Sequence, residues 1–227
     1  MVEGDSARGR VRSRVMFATR SAAPGAGGLP TPFNPPVAPE VRTAACRSVE
    51  DLDEVFGTRG AAAHCWCQFD RMPVAWFETL DDAHRRELLD VELHRDGPTP
   101  GLVATLHGER VGWCSVAPRS RFPRLRSAAS TSSPATALDD PAVWSVTCFV
   151  VPQRFRRHGV ATALLAGAVE HSRSGGAGWL EGYPVDTASP EADAGDLFRG
   201  TLALFRSAGF EVVARPRPGR VIVRLEL

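Results

Sequence analysis

Apolar residues recur along the chain in two periods, and their alternation predicts a mixed α/β order. The clearest passage is Trp144–Arg173. Trp144–Val151 is a run of apolar and β-branched residues, the pattern of a buried strand. Pro152 ends it, because proline has no N–H to give to a sheet. From Val160 the apolar positions Val160, Ala161, Leu164, Leu165, Ala168 and Val169 return at helical spacing. Between strand and helix lies Arg154–Ala161, a basic turn with one glycine. The first N–H groups of a helix have no partner inside it and carry partial positive charge. With a glycine to let the backbone come close and arginines to add formal charge, such a turn suits phosphate; as a pattern alone it also fits a solvated surface turn.

The remaining elements follow the same reading. Glu40–Arg47 predicts a first strand, and Ser48 with Asp51 three residues on predicts a capped helix that stops at Gly57. Met72–Phe77 is a short apolar segment. Thr79 or Asp81 caps a helix to about Arg95, with Leu88, Leu89, Val91 and Leu93 on a partial apolar face. Gly101–His107 and Arg110–Val116, joined at Gly108-Glu109, predict a hairpin whose Trp113 faces either the core or a ligand. Trp179–Tyr183 predicts a strand ended by Pro184, and Asp196 caps a helix over Leu197–Ala208 that stops at Gly209. Phe210–Val213 and Val221–Leu227 predict two strands, the second alternating as though one face were wet.

Two stretches carry no such period. Residues 1–38, rich in Arg, Gly, Ala and Pro, predict a disordered or extended arm, which leaves one domain over 39–227. Residues 117–142 predict a long loop, arginine-rich over Pro118–Arg126 and then low in complexity. That loop is either a mobile basic lid or a solvated insertion.

Composition narrows the class. Of 227 residues 43% are hydrophobic, enough for a core. A net charge of +1 and the lack of aromatic–basic interleaving predict neither a nucleic-acid nor a membrane partner. No apolar run approaches the ~20 residues that span a bilayer, and the start lacks a secretory signal pattern. Five cysteines, an odd number without framework spacing, predict reduced thiols and a cytoplasmic protein. His64-Cys65-Trp66-Cys67 invites a zinc reading, but Cys-x-Cys leaves little slack and no second pair sits at ligand spacing, so no metal is expected. The segment packs a core edge or lines a binding pocket.

The sequence Arg156-Arg157-His158-Gly159-Val160-Ala161, set after a strand ending Val150-Val151-Pro152, resembles the Arg/Gln-x-x-Gly-x-Gly/Ala signature of the GNAT superfamily of acyl-CoA N-acyltransferases. Phe198–Phe210 resembles the same family's late helix running into Gly-Phe and a strand. The resemblance implies an α/β fold: a central, mostly antiparallel sheet of six to seven strands, splayed between strands 4 and 5 and flanked by helices. It implies acetyl-CoA as co-substrate, a small-molecule or peptide amine as acceptor, and direct transfer in a ternary complex; a homodimer is compatible with it. The pyrophosphate of coenzyme A would lie on Arg157, His158, Gly159, Val160 and Ala161, with Arg156 at the signature's basic position among the cofactor-binding residues, and the pantetheine arm along Cys148, Phe149, Val150 and Val151. All 27 basic residues are arginine, so no lysine side chain is available for self-acetylation.

The chain departs from the family where many relatives place a tyrosine in the last helix, since Phe205 stands there. The one tyrosine, Tyr183, is either a substitute acid or a packed aromatic. Glu181, a carboxylate inside an apolar strand, is the first candidate for general base, because burial would raise its pKa toward use; simple alternation would instead point it to solvent. Cys148 could also form an acyl-enzyme. The alternative function is a non-catalytic acyl-CoA-binding module, which Phe205 favours.

Overall fold

A computed structural model describes residues 40–127 and 139–227, so the predicted N-terminal arm and nearly all of the low-complexity stretch lie outside the described residues. Seven strands form one sheet: β1 (Arg42–Ala45), β2 (Gly101–Leu106), β3 (Glu109–Pro118), β4 (Val143–Val150), β5 (Trp179–Gly182), β6 (Glu211–Arg217) and β7 (Arg220–Glu226). Their order is β1-β2-β3-β4-β5-β7-β6, antiparallel throughout except for the parallel pair β4–β5. This is the expected mixed sheet. The crossover from β4 to β5 is made by α6 (Val160–Ser174), whose buried Val160, Leu164, Leu165, Ala168 and Val169 are the positions that gave the helical period.

The helices cover both faces. On one, α6 and α7 (Leu202–Ser207) enclose a core containing Leu164, Leu165, Trp144, Val146, Phe149, Leu180, Phe205 and Val223. On the other, α1 (Glu50–Phe56), α2 (Gly60–Cys65) and α4 (Asp82–Leu93) pack around Leu52, Phe56, Trp66, Leu89, Trp113 and Cys148. Trp113 is therefore a core residue, and its Nε1 donates to Cys67 Sγ at 3.3 Å. Trp66 stacks on Phe56 with ring centroids 4.6 Å apart. The cysteine segment thus packs a core edge, and among the described residues no cluster of His, Cys, Asp or Glu has the arrangement of a metal site. No described helix is long and apolar enough to cross a membrane.

Several local expectations are corrected. Helix α1 begins at Glu50 with Val49 at its N-cap, and the Ser48 hydroxyl donates to the Glu50 carboxylate instead of capping a backbone N–H. Of the two candidate caps for α4, Asp81 serves, accepting from His84 N at 2.9 Å. The apolar segment at 72–77 forms α3 (Val74–Thr79), which leaves Trp76 exposed. The hairpin turns at His107-Gly108, one residue early, because both take positive φ, the conformation that a two-residue turn of matching twist needs.

The long helix expected after Asp196 is two pieces. A 3₁₀ turn, Ala194–Arg199, is capped by Asp193, and α7 is capped by Thr201. Gly200 separates them at φ +79°, while its carbonyl and the Leu202 N–H bond to Val185 beyond β5. The start of the predicted loop is ordered as well. Strand β3 runs to Pro118, a 3₁₀ turn covers Arg119–Arg121 and α5 covers Arg124–Ser127. Phe122 and Leu125 are buried there against Tyr183 and Ile222. This packing covers the face of β7 that the alternation had placed in water: Arg220–Arg224 are all buried.

Candidate functional site

Strands β4 and β5 pair only over Val143–Val146 and Trp179–Gly182. Beyond Val146 the register of β4 against β3 slips, so that Ser115 faces Cys148 while Val116 faces Val146, and Thr147 is the extra residue of a bulge. The strand continues through Cys148, Phe149 and Val150 without β5 beside it. The sheet is therefore split on that edge, and backbone groups of Cys148–Val151 border the gap. Phe149 turns toward α7, with its ring 6.1 Å from that of Phe205, and Cys148 turns to the opposite core.

The basic turn closes the same end. Pro152 is followed by a short 3₁₀ turn, Gln153–Phe155, and by two left-handed residues, Arg157 at φ +69° and Gly159 at φ +76°. Gly159 is the N-cap of α6. The helical ladder starts with Ala163 N donating to Gly159 O at 3.0 Å, so the N–H groups of Val160, Ala161 and Thr162 precede the first rung. A Cβ placed on Gly159 would touch nothing within 4 Å. The mouth of the turn is open, and glycine is required by the backbone angle rather than by crowding. Arg154, Arg156, Arg157 and His158 are all exposed around it, with Val160 buried and Ala161 partly so. Helix dipole, free amides and arginines thus face one opening, an arrangement that attracts a polyanion.

The two candidates for acid and base, Glu181 on β5 and Tyr183 just beyond it, are both buried beside the last β4–β5 pairs. Glu181 is fully buried, with Oε2 receiving Arg119 Nη1 at 3.2 Å and Arg224 Nη2 at 2.6 Å. Its Oε1 accepts the Tyr183 hydroxyl at 2.8 Å, and that hydroxyl lies 3.0 Å from Ser145 Oγ. Alternation along β5 does not point Glu181 to solvent, because the 119–127 turns cover that face. A fully buried carboxylate shared by two guanidiniums and a phenol has its oxygens occupied. Burial, and then the charge of Glu181, pushes the Tyr183 phenol well above its ordinary value, so it is a poor proton donor. Phe205 is fully buried, edge-on to both Phe149 and Phe210. It packs so closely under Gly182 that a Cβ there would meet its ring at 2.3 Å.

The sequence reading did not single out Asp70 and Arg199, which form a nearly buried ion pair at 2.8 Å beside Cys148. No motif marks either residue, and 129 positions separate them. Arg119 and Arg224 were likewise seen only as loop and strand arginines.

An α/β sheet split between a parallel pair, with a phosphate-ready helix start at the split, defines an acyl-CoA-binding transferase fold. The chain belongs to the acetyltransferase (GNAT) family, which matches residues 63–191. Among solved structures it is similar to yncA from Salmonella typhimurium with its cofactor acetyl-CoA, at 16% identity over 84% of this chain and 95% of that one, TM-score 0.50. It is also similar to the N-acetyltransferase from Staphylococcus aureus Mu50, at 12% identity over 82% of this chain and 98% of that one, TM-score 0.50. At such identities the likeness is one of fold. No curated protein matches the sequence.

Proposed function

We propose that the protein transfers an acetyl group from acetyl-CoA to an amine in a ternary complex. The observation that carries the proposal is the conjunction of the β4–β5 gap with the open, arginine-rimmed turn at Gly159. The pyrophosphate would lie on the N–H groups of Gly159–Ala161 among Arg154, Arg156 and Arg157, and the pantetheine arm along Cys148–Val151. A backbone N–H bordering the gap would stabilise the oxyanion that forms on the thioester carbonyl.

In the reaction the amine nitrogen forms a bond to the acetyl carbon, the carbon–sulfur bond breaks, and the proton lost by the amine ends on the thiolate. An alkylammonium titrates near ~10, so its deprotonation is the demanding step, whereas a thiolate of pKa ~8.5 leaves with little help. We therefore assign Glu181 and Tyr183 to holding β5 to the 119–127 turns and not to proton transfer. Removal of the amine proton falls to water or to a carboxylate at the gap. Direct transfer is favoured over an acyl-cysteine because the hydrogen bond to Cys67, together with burial, holds the Cys148 thiol well above its ordinary range. Five free cysteines suit a reducing compartment, which is consistent with a cytoplasmic setting.

Calorimetric titration with acetyl-CoA tests the cofactor site, and thiol release with a panel of amines separates an enzyme from a non-catalytic binder. Micromolar binding with amine-dependent thiol release is the expected result. Failure of the folded protein to bind acetyl-CoA would remove the proposal.

A further inference from the structure

The cofactor reading leaves one buried charge pair unused. Asp70 lies in the turn that follows α2, and Arg199 closes the 3₁₀ turn that packs on β4. Arg199 Nη2 donates to Asp70 Oδ1 at 2.8 Å, and both side chains are only 6% exposed. The guanidinium is near enough to Cys148 of β4 and Tyr183 beyond β5 for both to act on its charge. Phe198 of the same 3₁₀ turn packs on the core that holds Cys148 and Val150, so the turn lies against the stretch of β4 that β5 leaves unpaired, on the face opposite α6.

Neither partner is used up. Nη1 of Arg199 is sealed from solvent and has no hydrogen-bond partner. Oδ2 of Asp70 has no hydrogen-bond partner among the described residues. Arg220, at the start of β7, repeats the arrangement. It is paired with Asp196, its Nη1 is sealed without a partner, and it lies within electrostatic reach of Arg199. A buried donor without an acceptor is costly, and a bound anion is one way to satisfy it.

We propose that the acceptor is an α-amino acid, bound as its zwitterion with the ammonium on Asp70 Oδ2 and the carboxylate on Arg199 Nη1, with Arg220 as the second cation on the carboxylate side. This rests on the acetyltransferase reading and names the substrate class of the same site. A neutral pair of opposite charges is complementary to a neutral zwitterion, because both ligand charges are met. A plain amine or a plain acid would leave one charge uncompensated in a low-dielectric pocket. The Phe198 ring is centred 5.1 Å from the Arg199 guanidinium.

The test compares, on the wild-type protein, thiol release from acetyl-CoA with each of a set of α-amino acids, its carboxamide and its decarboxylated amine. At least one amino acid is expected to exceed both of its counterparts in kcat/KM by about 10- to 100-fold, the loss expected when a hydrogen bond to a charged group goes unmade. In Asp70→Asn/Arg199→Gln, which strands no charge, that preference is expected to collapse toward unity through KM while acetyl-CoA affinity stays within about threefold. Equal rates for the three forms, release with none of them, or an undiminished preference in the double variant would each overturn the inference. Acetyl-CoA calorimetry on the same samples separates the two failures: binding without carboxylate preference sinks this inference alone, whereas no binding sinks the transferase reading as well.

Discussion

Replacing Gly159 separates backbone strain from charge at the proposed cofactor turn. The residue sits at φ +76° with open space where a Cβ would go. A Cβ there meets no clash, so a substitution bears chiefly the left-handed penalty, about 1–2 kcal/mol and least for Asn. Gly159→Glu adds a carboxylate beside the place assigned to the pyrophosphate. Two unit charges about 4 Å apart at an effective dielectric of about 20 interact by about 4 kcal/mol. The turn is exposed, so physiological salt screens part of this. Loss of at least about 100-fold in acetyl-CoA affinity is expected for Gly159→Glu. Gly159→Asn, with no charge and a tolerated φ, is expected to stay within about 10-fold of wild type. Calorimetry with acetyl-CoA measures both, and a thermal melt records the strain. Equal affinities for the Glu variant and the wild type would refute the placement of the pyrophosphate at this turn. Equal large losses in both variants would mean that backbone geometry, not anion attraction, governs binding.

Other outcomes follow from the buried polar groups. Glu181→Gln removes the anion between Arg119 and Arg224 and is expected to cost about 3–5 kcal/mol in denaturant unfolding, with kcat of the folded fraction changed less than about threefold; an unchanged unfolding midpoint with a 100-fold fall in kcat would instead make Glu181 the base. Tyr183→Phe loses the bonds to Glu181 and Ser145 and is expected to cost about 1–3 kcal/mol without altering the pH profile of kcat. Phe205→Tyr is expected to leave kcat within about threefold, since the thiolate leaves unaided; a tenfold gain would show that an acid is missing. Burial pushes the Cys46 thiol up to about 11 and the Cys65 thiol up to about 12. A thiol held above its unfolded value contributes stability that is complete below that value and is lost as pH rises past it. Melting temperature is therefore expected to fall above about pH 9, less steeply in Cys46→Ala, and native-state alkylation of these two thiols should be slow.

Much of the fold was legible because it is written in local periods. The run at 144–151 and the helical spacing after Val160 are properties of adjacent residues, as are the stops at Pro152 and Gly209. The strand–turn–helix order around Gly159 was legible for the same reason, since the strand stop, the glycine and the helix start lie within a few positions.

What the sequence could not give were the partners of its charges. Glu181 read as a base because a carboxylate in an apolar strand has no visible counter-ion; Arg119 and Arg224, distant in the chain, supply two. The arginine-rich stretch after Pro118 read as a loop because its ion pairs, and the burial of Phe122 and Leu125, exist only once β5 and β7 lie beneath it. Gly200 broke a predicted helix because Val185 offered its neighbours a bridge. Asp70 and Arg199 carry no motif and meet only through the sheet. Local backbone preference and hydrophobic period act over a few residues and survive in the sequence alone. Ion pairing and burial are set by distances in space, so only the tertiary structure decided which charged groups meet and which are buried.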